Sequence, residues 1–224
     1  RGVAVIDPHG TLVRELLERS IPPEREADVV VLDFAQEEFP PPLNPLLIPE
    51  GAAQRDAASR MMTLIERIYQ GFDGQMADTL NMTLLTLMHE QTPTLRDVTR
   101  LFNDPKYRYQ LTEQLDNPAA EDFWDTFNHL SKGEQALRRS PVEHRLRAFY
   151  SNPALYPILC HPKTLNLPVL IREQRIVLVS LETKRRGIPP REARLLGAIL
   201  VADLQMAVMG HAAMEHGFAL YIDE

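Results

Sequence analysis

Gly2-Val3-Ala4-Val5-Ile6-Asp7-Pro8-His9-Gly10 decides the fold class. An unbroken apolar run rich in β-branched residues predicts a strand buried on both faces, because a half-solvated strand would alternate apolar with polar residues. Asp-Pro-His-Gly predicts the turn that ends it: proline sets φ, aspartate bonds nearby backbone, and glycine takes the left-handed position. A helix follows over residues 11–19, with Leu12, Leu16 and Leu17 on one face, and Pro22-Pro23 stop it. Asp28-Val29-Val30-Val31-Leu32-Asp33 then repeats the apolar run. Strand, helix, strand, with both strands apolar throughout, predicts an α/β fold whose parallel sheet is covered by helices.

Outward from this unit the register changes. Pro40, Pro41, Pro42, Pro45 and Pro49 surround Leu43-Asn44-Pro45-Leu46 and predict a stiff, extended connector. Residues 53–158 carry helical signals almost exclusively, at 57–69, 78–90, 95–103 and 107–115. Asn117-Pro118 caps and opens a further helix bearing Phe123, Trp124 and Phe127. Ser131 to Glu134 and Ser140 to Glu143 both match the capping box and predict two more helix starts. The expected organisation is an α/β core of residues 1–52 and 159–224 interrupted by an all-helical insertion, 53–158, centred on Leu84, Leu87, Phe123, Trp124 and Phe127. In the returning part, Arg175 to Ser180 reads as a third buried strand. Pro189-Pro190 open a long helix through Leu195, Leu196, Ile199, Leu200, Leu204 and Val208, and Phe218 to Ile222 is a fourth strand ending on Asp223-Glu224.

Composition narrows the function classes. The 224 residues are 44% apolar and 25% charged, which is globular rather than disordered or fibrous. A net charge of -7 excludes a chain that coats nucleic acid over its whole surface, so any DNA contact is local. The single cysteine, Cys160, precludes an internal disulfide, and with no signal-like N-terminus the chain reads as cytosolic. The longest apolar run, within 195–209, is broken by Asp203 and Gln205 and is too short for a bilayer, so no membrane segment is expected. A start at Arg1 rather than methionine, and a stop directly after an apolar strand, suggest a piece of a longer protein.

Two places could carry chemistry. An apolar strand ending in Asp223-Glu224 is the pattern by which nucleotide hydrolases set two acids at the carboxyl end of a buried strand, the first for Mg²⁺ and the second to polarise the attacking water. Strands also end in acidic turn residues without function, so this pattern alone is weak. Asp7 and His9, in the turn after the first strand, are the second place, and the plain turn is the simpler reading there. No G-x-x-x-x-G-K-[ST] loop occurs, so the amide cradle for phosphates is absent from this sequence. Cys160-His161 has no second cysteine at ligand spacing, and His211 and His216 are five apart, which disfavours structural zinc. Lys184-Arg185-Arg186, Arg138-Arg139 and Arg145 with Arg147 are basic clusters whose ordinary meaning is a solvated face, although the first follows a buried strand and could reach a phosphate.

Taken in order, Gly2 to Gly10, Leu43-Asn-Pro-Leu46, Leu130-Ser-Lys-Gly-Glu134, Arg145-Leu-Arg-Ala-Phe-Tyr-Ser-Asn-Pro153, Val177-Leu-Val-Ser-Leu181, Leu195-Leu-Gly-Ala-Ile-Leu200 and Leu220-Tyr-Ile-Asp-Glu224 resemble the motor domain of bacterial type IV secretion and conjugation ATPases, of the FtsK/HerA class of hexameric DNA pumps. The resemblance covers nearly the whole chain. It implies a partial RecA-like P-loop NTPase core with an inserted all-α domain, and a phosphate loop preceding the strand that begins here at Gly2. It further implies ATP and Mg²⁺ as cofactors, Asp223 as the metal-associated Walker B acid, and Glu224 as the catalytic glutamate. Asp7 and His9 would lie beside the nucleotide, with Arg186 as an arginine finger by its place after the third strand. Thr11 stands where the family commonly has an acid, so no acidic role is carried to that position. The implied partners are DNA, secretion or relaxase proteins and five further copies in a homohexamer, at a cytoplasmic location that extends to the inner face of the bacterial membrane. Two other readings stay open: a protein-moving NTPase of the same class, told apart by DNA stimulation of hydrolysis, and a non-enzymatic interaction module.

Overall fold

The N-terminal apolar run forms β1 (Val3–Asp7), buried from Ala4 to Asp7. The computed structural model describes residues 1–47, 54–68, 74–182, 188–209 and 217–223. After β1 come α1 (Thr11–Arg19), a 3₁₀ turn (Pro23–Asp28) and β2 (Val29–Asp33). The helices α2 (Gln54–Ile68), α3 (Gly74–Leu87), α4 (Leu95–Asn103), α5 (Pro105–Thr112), α6 (Pro118–His129), α7 (Lys132–Tyr150) and α8 (Tyr156–Leu159) follow. The chain closes with α9 (Leu167–Arg172), β3 (Ile176–Ser180), α10 (Pro190–Met209) and β4 (Ala219–Ile222). These elements group into two compact units, one built from Arg1–Leu43 and Thr164–Glu224, the other from Asn44–Ile48 and Ala53–Lys163.

The first unit is a mixed α/β fold around a four-stranded parallel sheet of order β2-β3-β1-β4. Register is fixed by pairing Val5 with Leu178 and with Tyr221, and Val31 with Leu178. Because side chains alternate across a strand, Val5, Ile176 and Leu178 share one face, where Val13 of α1 joins them in a core flanked by Leu12 and Leu16. Ala4, Ile6, Val177 and Val179 point to the other face. The edge strands depart from the two-sided burial expected of them. Val31 is half exposed in β2, and every residue of β4 is exposed, Tyr221 most of all, because nothing among the described residues lies beyond either edge. The amide of Leu165 donates to the carbonyl of Pro42 at 3.2 Å, so the points where the chain leaves and re-enters this unit are adjacent.

The second unit is all helical. Its centre is an aromatic cluster in which Trp124 meets Phe123, Phe127 and Phe102 with ring centroids 5.0, 5.5 and 5.7 Å apart, and Leu84 and Leu87 are fully buried in the same unit. The indole Nε1–H donates to Thr86 Oγ1 at 2.6 Å, which satisfies the one polar group of a ring that is 1% exposed. Buried Arg108 donates to the carbonyls of Leu101 and Phe102 and to Asn128, closing the last turn of α4. Asn117 accepts from the amides of Ala119 and Ala120, and the Ser131/Glu134 box is formed. No helix starts at Ser140, contrary to the second capping-box signal. Instead α7 runs unbroken through Pro141: none of residues 132–140 is buried, whereas Val142, Leu146 and Phe149 after the proline are, and their burial holds the second half of the helix despite one missing backbone donor. The sequence boundary at 158 falls inside α8, and the unit continues to Lys163.

Candidate functional site

In a parallel sheet all carboxyl ends lie at one edge, and there the backbone register gathers the candidate residues of the first unit. Pairing continues past the strand ends. Leu181 N donates to Asp7 O at 2.8 Å and Asp223 N to Ile6 O at 3.0 Å, so the turn after β1 sits between the exits of β3 and β4.

Asp7 is fully buried, and both carboxylate oxygens are used: one accepts from His9 N at 2.7 Å, the other from Val13 N at 3.0 Å. Burial pushes this carboxyl up, but the amides of Val13, His9, Gly10 and Leu12 together outweigh burial and hold it below its ordinary value. Asp7 therefore anchors the first turn of α1 as an anion held by backbone donors. Gly10 completes the turn at φ 76°, and a Cβ there would lie 2.9 Å from Ser180 Oγ and 3.0 Å from Glu182, so both conformation and space require glycine.

His9 is held outward by this turn and is exposed. It lines a cavity of about 640 Å³ with Ile6, Leu181, Glu182, Arg194 and Ile222, bounded by β1, β4 and the first turns of α10. Glu182 lies 3.7 Å from Arg14. Asp223 is exposed at the end of β4, and among the described residues no hydrogen bond or ion pair engages its carboxylate. Glu224 and Arg186 lie outside the described residues.

The structure thus brings Asp7, His9 and Asp223 to one edge and gives them different work: a buried anchor, an exposed imidazole and an exposed acid. Among the described residues no three of His, Cys, Asp and Glu gather into a metal set, so Asp223 would bind a cation with water or other groups completing the shell. Ser180, Glu182 and Arg194 escaped sequence reasoning. The in-register exit of β3 could have flagged Ser180 and Glu182, whereas Arg194 has no local signal.

Lys184, Arg185, His211 and His216 also lie outside the described residues. Arg138 stacks on Phe123 at 4.7 Å and lies 3.6 Å from Asp78, and Arg139 bonds Asn103, so this cluster braces the helical unit. Burial pushes the Cys160 thiol up to about 11, the wrong direction for a nucleophile. No helix among the described residues is long and apolar enough to cross a membrane. Comparison with protein-family models, curated proteins and solved structures found no match.

Proposed function

We propose that this chain is the central part of an ATP-driven DNA translocase, the motor of a bacterial conjugation or type IV secretion system, with a RecA-like core interrupted by the helical unit. One observation carries the reading. β1 and β4 are parallel neighbours with Ile6 opposite Ile222, so the Asp-Pro-His-Gly turn and Asp223 leave the sheet side by side at its carboxyl edge. In this reading Asp223 holds Mg²⁺, Glu224 polarises the attacking water, and Asp7 fixes the turn that presents His9 to the nucleotide. ATP supplies the phosphoryl group that water attacks. The amide cradle for its phosphates would come from a loop preceding Gly2 in a longer chain. A homohexamer, DNA and secretion or relaxase proteins are the partners this reading requires, in the cytoplasm or at the inner face of the membrane.

The test is made in a longer protein that carries the phosphate loop. Glu224→Gln is expected to keep nucleotide binding and to lower hydrolysis at least about 100-fold, the scale for losing a residue that positions or deprotonates water. Asp223→Ala is expected to weaken the Mg²⁺-dependent part of binding. Small and equal effects would reduce both acids to the end of a strand. Stimulation of hydrolysis by DNA separates a DNA motor from a protein-moving one.

A further inference from the structure

The cavity beside His9 has a composition that the acids at the sheet edge do not account for. Its wall is apolar, from Ile6, Leu181, Ile188, Val201 and Ile222, and its volume of about 640 Å³ falls in the range of about 300 to 1,000 Å³ that accommodates small-molecule ligands. Among the described residues, the ionisable groups on it are His9, Glu182 and Arg194. Glu182 is paired with Arg14. Arg194 is exposed on α10, and no hydrogen bond or ion pair engages its guanidinium among the described residues. The larger groove along α4 is different: its lining is polar, and much of it is mutually bonded, Thr99 with Tyr150 at 2.7 Å, Arg96 with Tyr156 at 3.4 Å, and Arg100 3.9 Å from Asp104.

We propose that the cavity of the α/β unit binds an anionic ligand with a flat or elongated apolar body, the body against Ile6, Leu181 and Ile222 and the anion on Arg194. An apolar slot supplies binding through the area it removes from water, and a single guanidinium at its mouth selects the sign of charge and the orientation. Nucleotide bases with phosphates and acyl chains with a carboxylate share this chemistry. The inference does not rest on Asp223 or Glu224, and its readout is binding rather than hydrolysis.

The probe is anilinonaphthalene sulfonate, an aromatic body bearing one anion, titrated by fluorescence into the purified chain. Saturable one-to-one binding is expected. Arg194→Gln, at an exposed position, should weaken it about tenfold, the scale of a charge-assisted hydrogen bond. Ala193→Phe, which fills the slot from α10, should abolish it, whereas Tyr221→Lys, on the other face of the sheet, should leave it unchanged. Thermal unfolding of each variant checks that the fold is kept, and Arg194→Gln alone decides if Ala193→Phe does not fold. Displacement by ATP or by dodecanoate tells the nucleotide source from the acyl source. Binding within twofold of wild type in Arg194→Gln, an equal loss in Tyr221→Lys, or displacement by neither compound at about 1 mM overturns the proposal.

Discussion

Replacing Asp7 by asparagine isolates what this carboxylate does. Asparagine keeps a carbonyl that can accept from His9 N, but it turns an NH₂ toward Val13 N, so two donors face each other at a fully buried position. Leaving one buried backbone donor unsatisfied costs about 1 to 3 kcal/mol, and loss of the charge on the remaining bond adds to this; about 2 kcal/mol is the expected net effect on the α/β unit. The pH dependence carries a sign. The folded state holds Asp7 below its ordinary value of 3.8, so its stabilisation is fully present above that value and is lost as pH falls through the lower folded value. Asparagine cannot titrate, so the gap between wild type and variant should be widest near neutrality and close as pH falls below about 4. Native-state hydrogen exchange at the amides of Val13 and Leu178 reads this unit without interference from the helical one, and about 2 kcal/mol corresponds to about 30-fold faster exchange through global opening. Unchanged protection of Val13 in Asp7→Asn, or a gap that does not narrow in acid, would refute the anchoring role.

The only tryptophan reports on the helical unit, so urea unfolding followed by its fluorescence should show Thr86→Val losing about 1 to 3 kcal/mol, because the indole N–H is left buried without an acceptor. Trp124→Ala, followed by circular dichroism, should cost about 3 to 5 kcal/mol; a loss below about 1 kcal/mol would mean the aromatic cluster is not the centre of that unit. Excising residues 44–163 and joining Leu43 to Thr164 by a short glycine-serine linker should leave the Leu178 amide protected, since Pro42 and Leu165 are already bonded; an unprotected or aggregated product would show that the sheet needs the insertion to fold. The chain by itself is expected to hydrolyse ATP negligibly for want of a phosphate cradle, and robust Mg²⁺-dependent turnover abolished by Glu224→Gln would defeat that expectation.

The legible parts of this fold are those in which local chemistry and tertiary packing ask for the same thing. β1 and β3 are apolar on both faces and interior in the sheet, and Asn117-Pro118 and Ser131/Glu134 carry caps whose bonds close within a few residues. Elements decided by packing were not legible. Ser140-Pro141 has every local mark of a helix start, yet α7 is already helical from Lys132 and runs on into the buried Val142, Leu146 and Phe149, a continuity that the capping-box signal does not record. α8 and α9 are short apolar segments, four and six residues long, whose periodicity cannot tell helix from strand. β4 reads as apolar and buried but is exposed, because sequence records what a strand contains and not its place at a sheet edge.

The candidate site shows the same division at finer grain. Asp-Pro-His-Gly read alone is a turn, and Asp223-Glu224 read alone is the end of a strand. What gives the pair meaning is parallel register, a long-range property that places Ile6 opposite Ile222 across 215 intervening positions of chain and that no local window contains. The turn reading and the site reading of Asp7 are also not in competition. A carboxylate whose oxygens are both held by backbone amides contributes to chemistry by fixing what lies next to it, and here that is an outward imidazole beside an open cavity. Any direct contact with a cation must then fall to a free acid at the same edge, which among the described candidates is Asp223. Asp7→Asn should therefore perturb stability first and binding only through the turn, while Asp223→Ala should perturb cation-dependent binding with little change in stability, and the reverse order of effects would assign the two acids the opposite way.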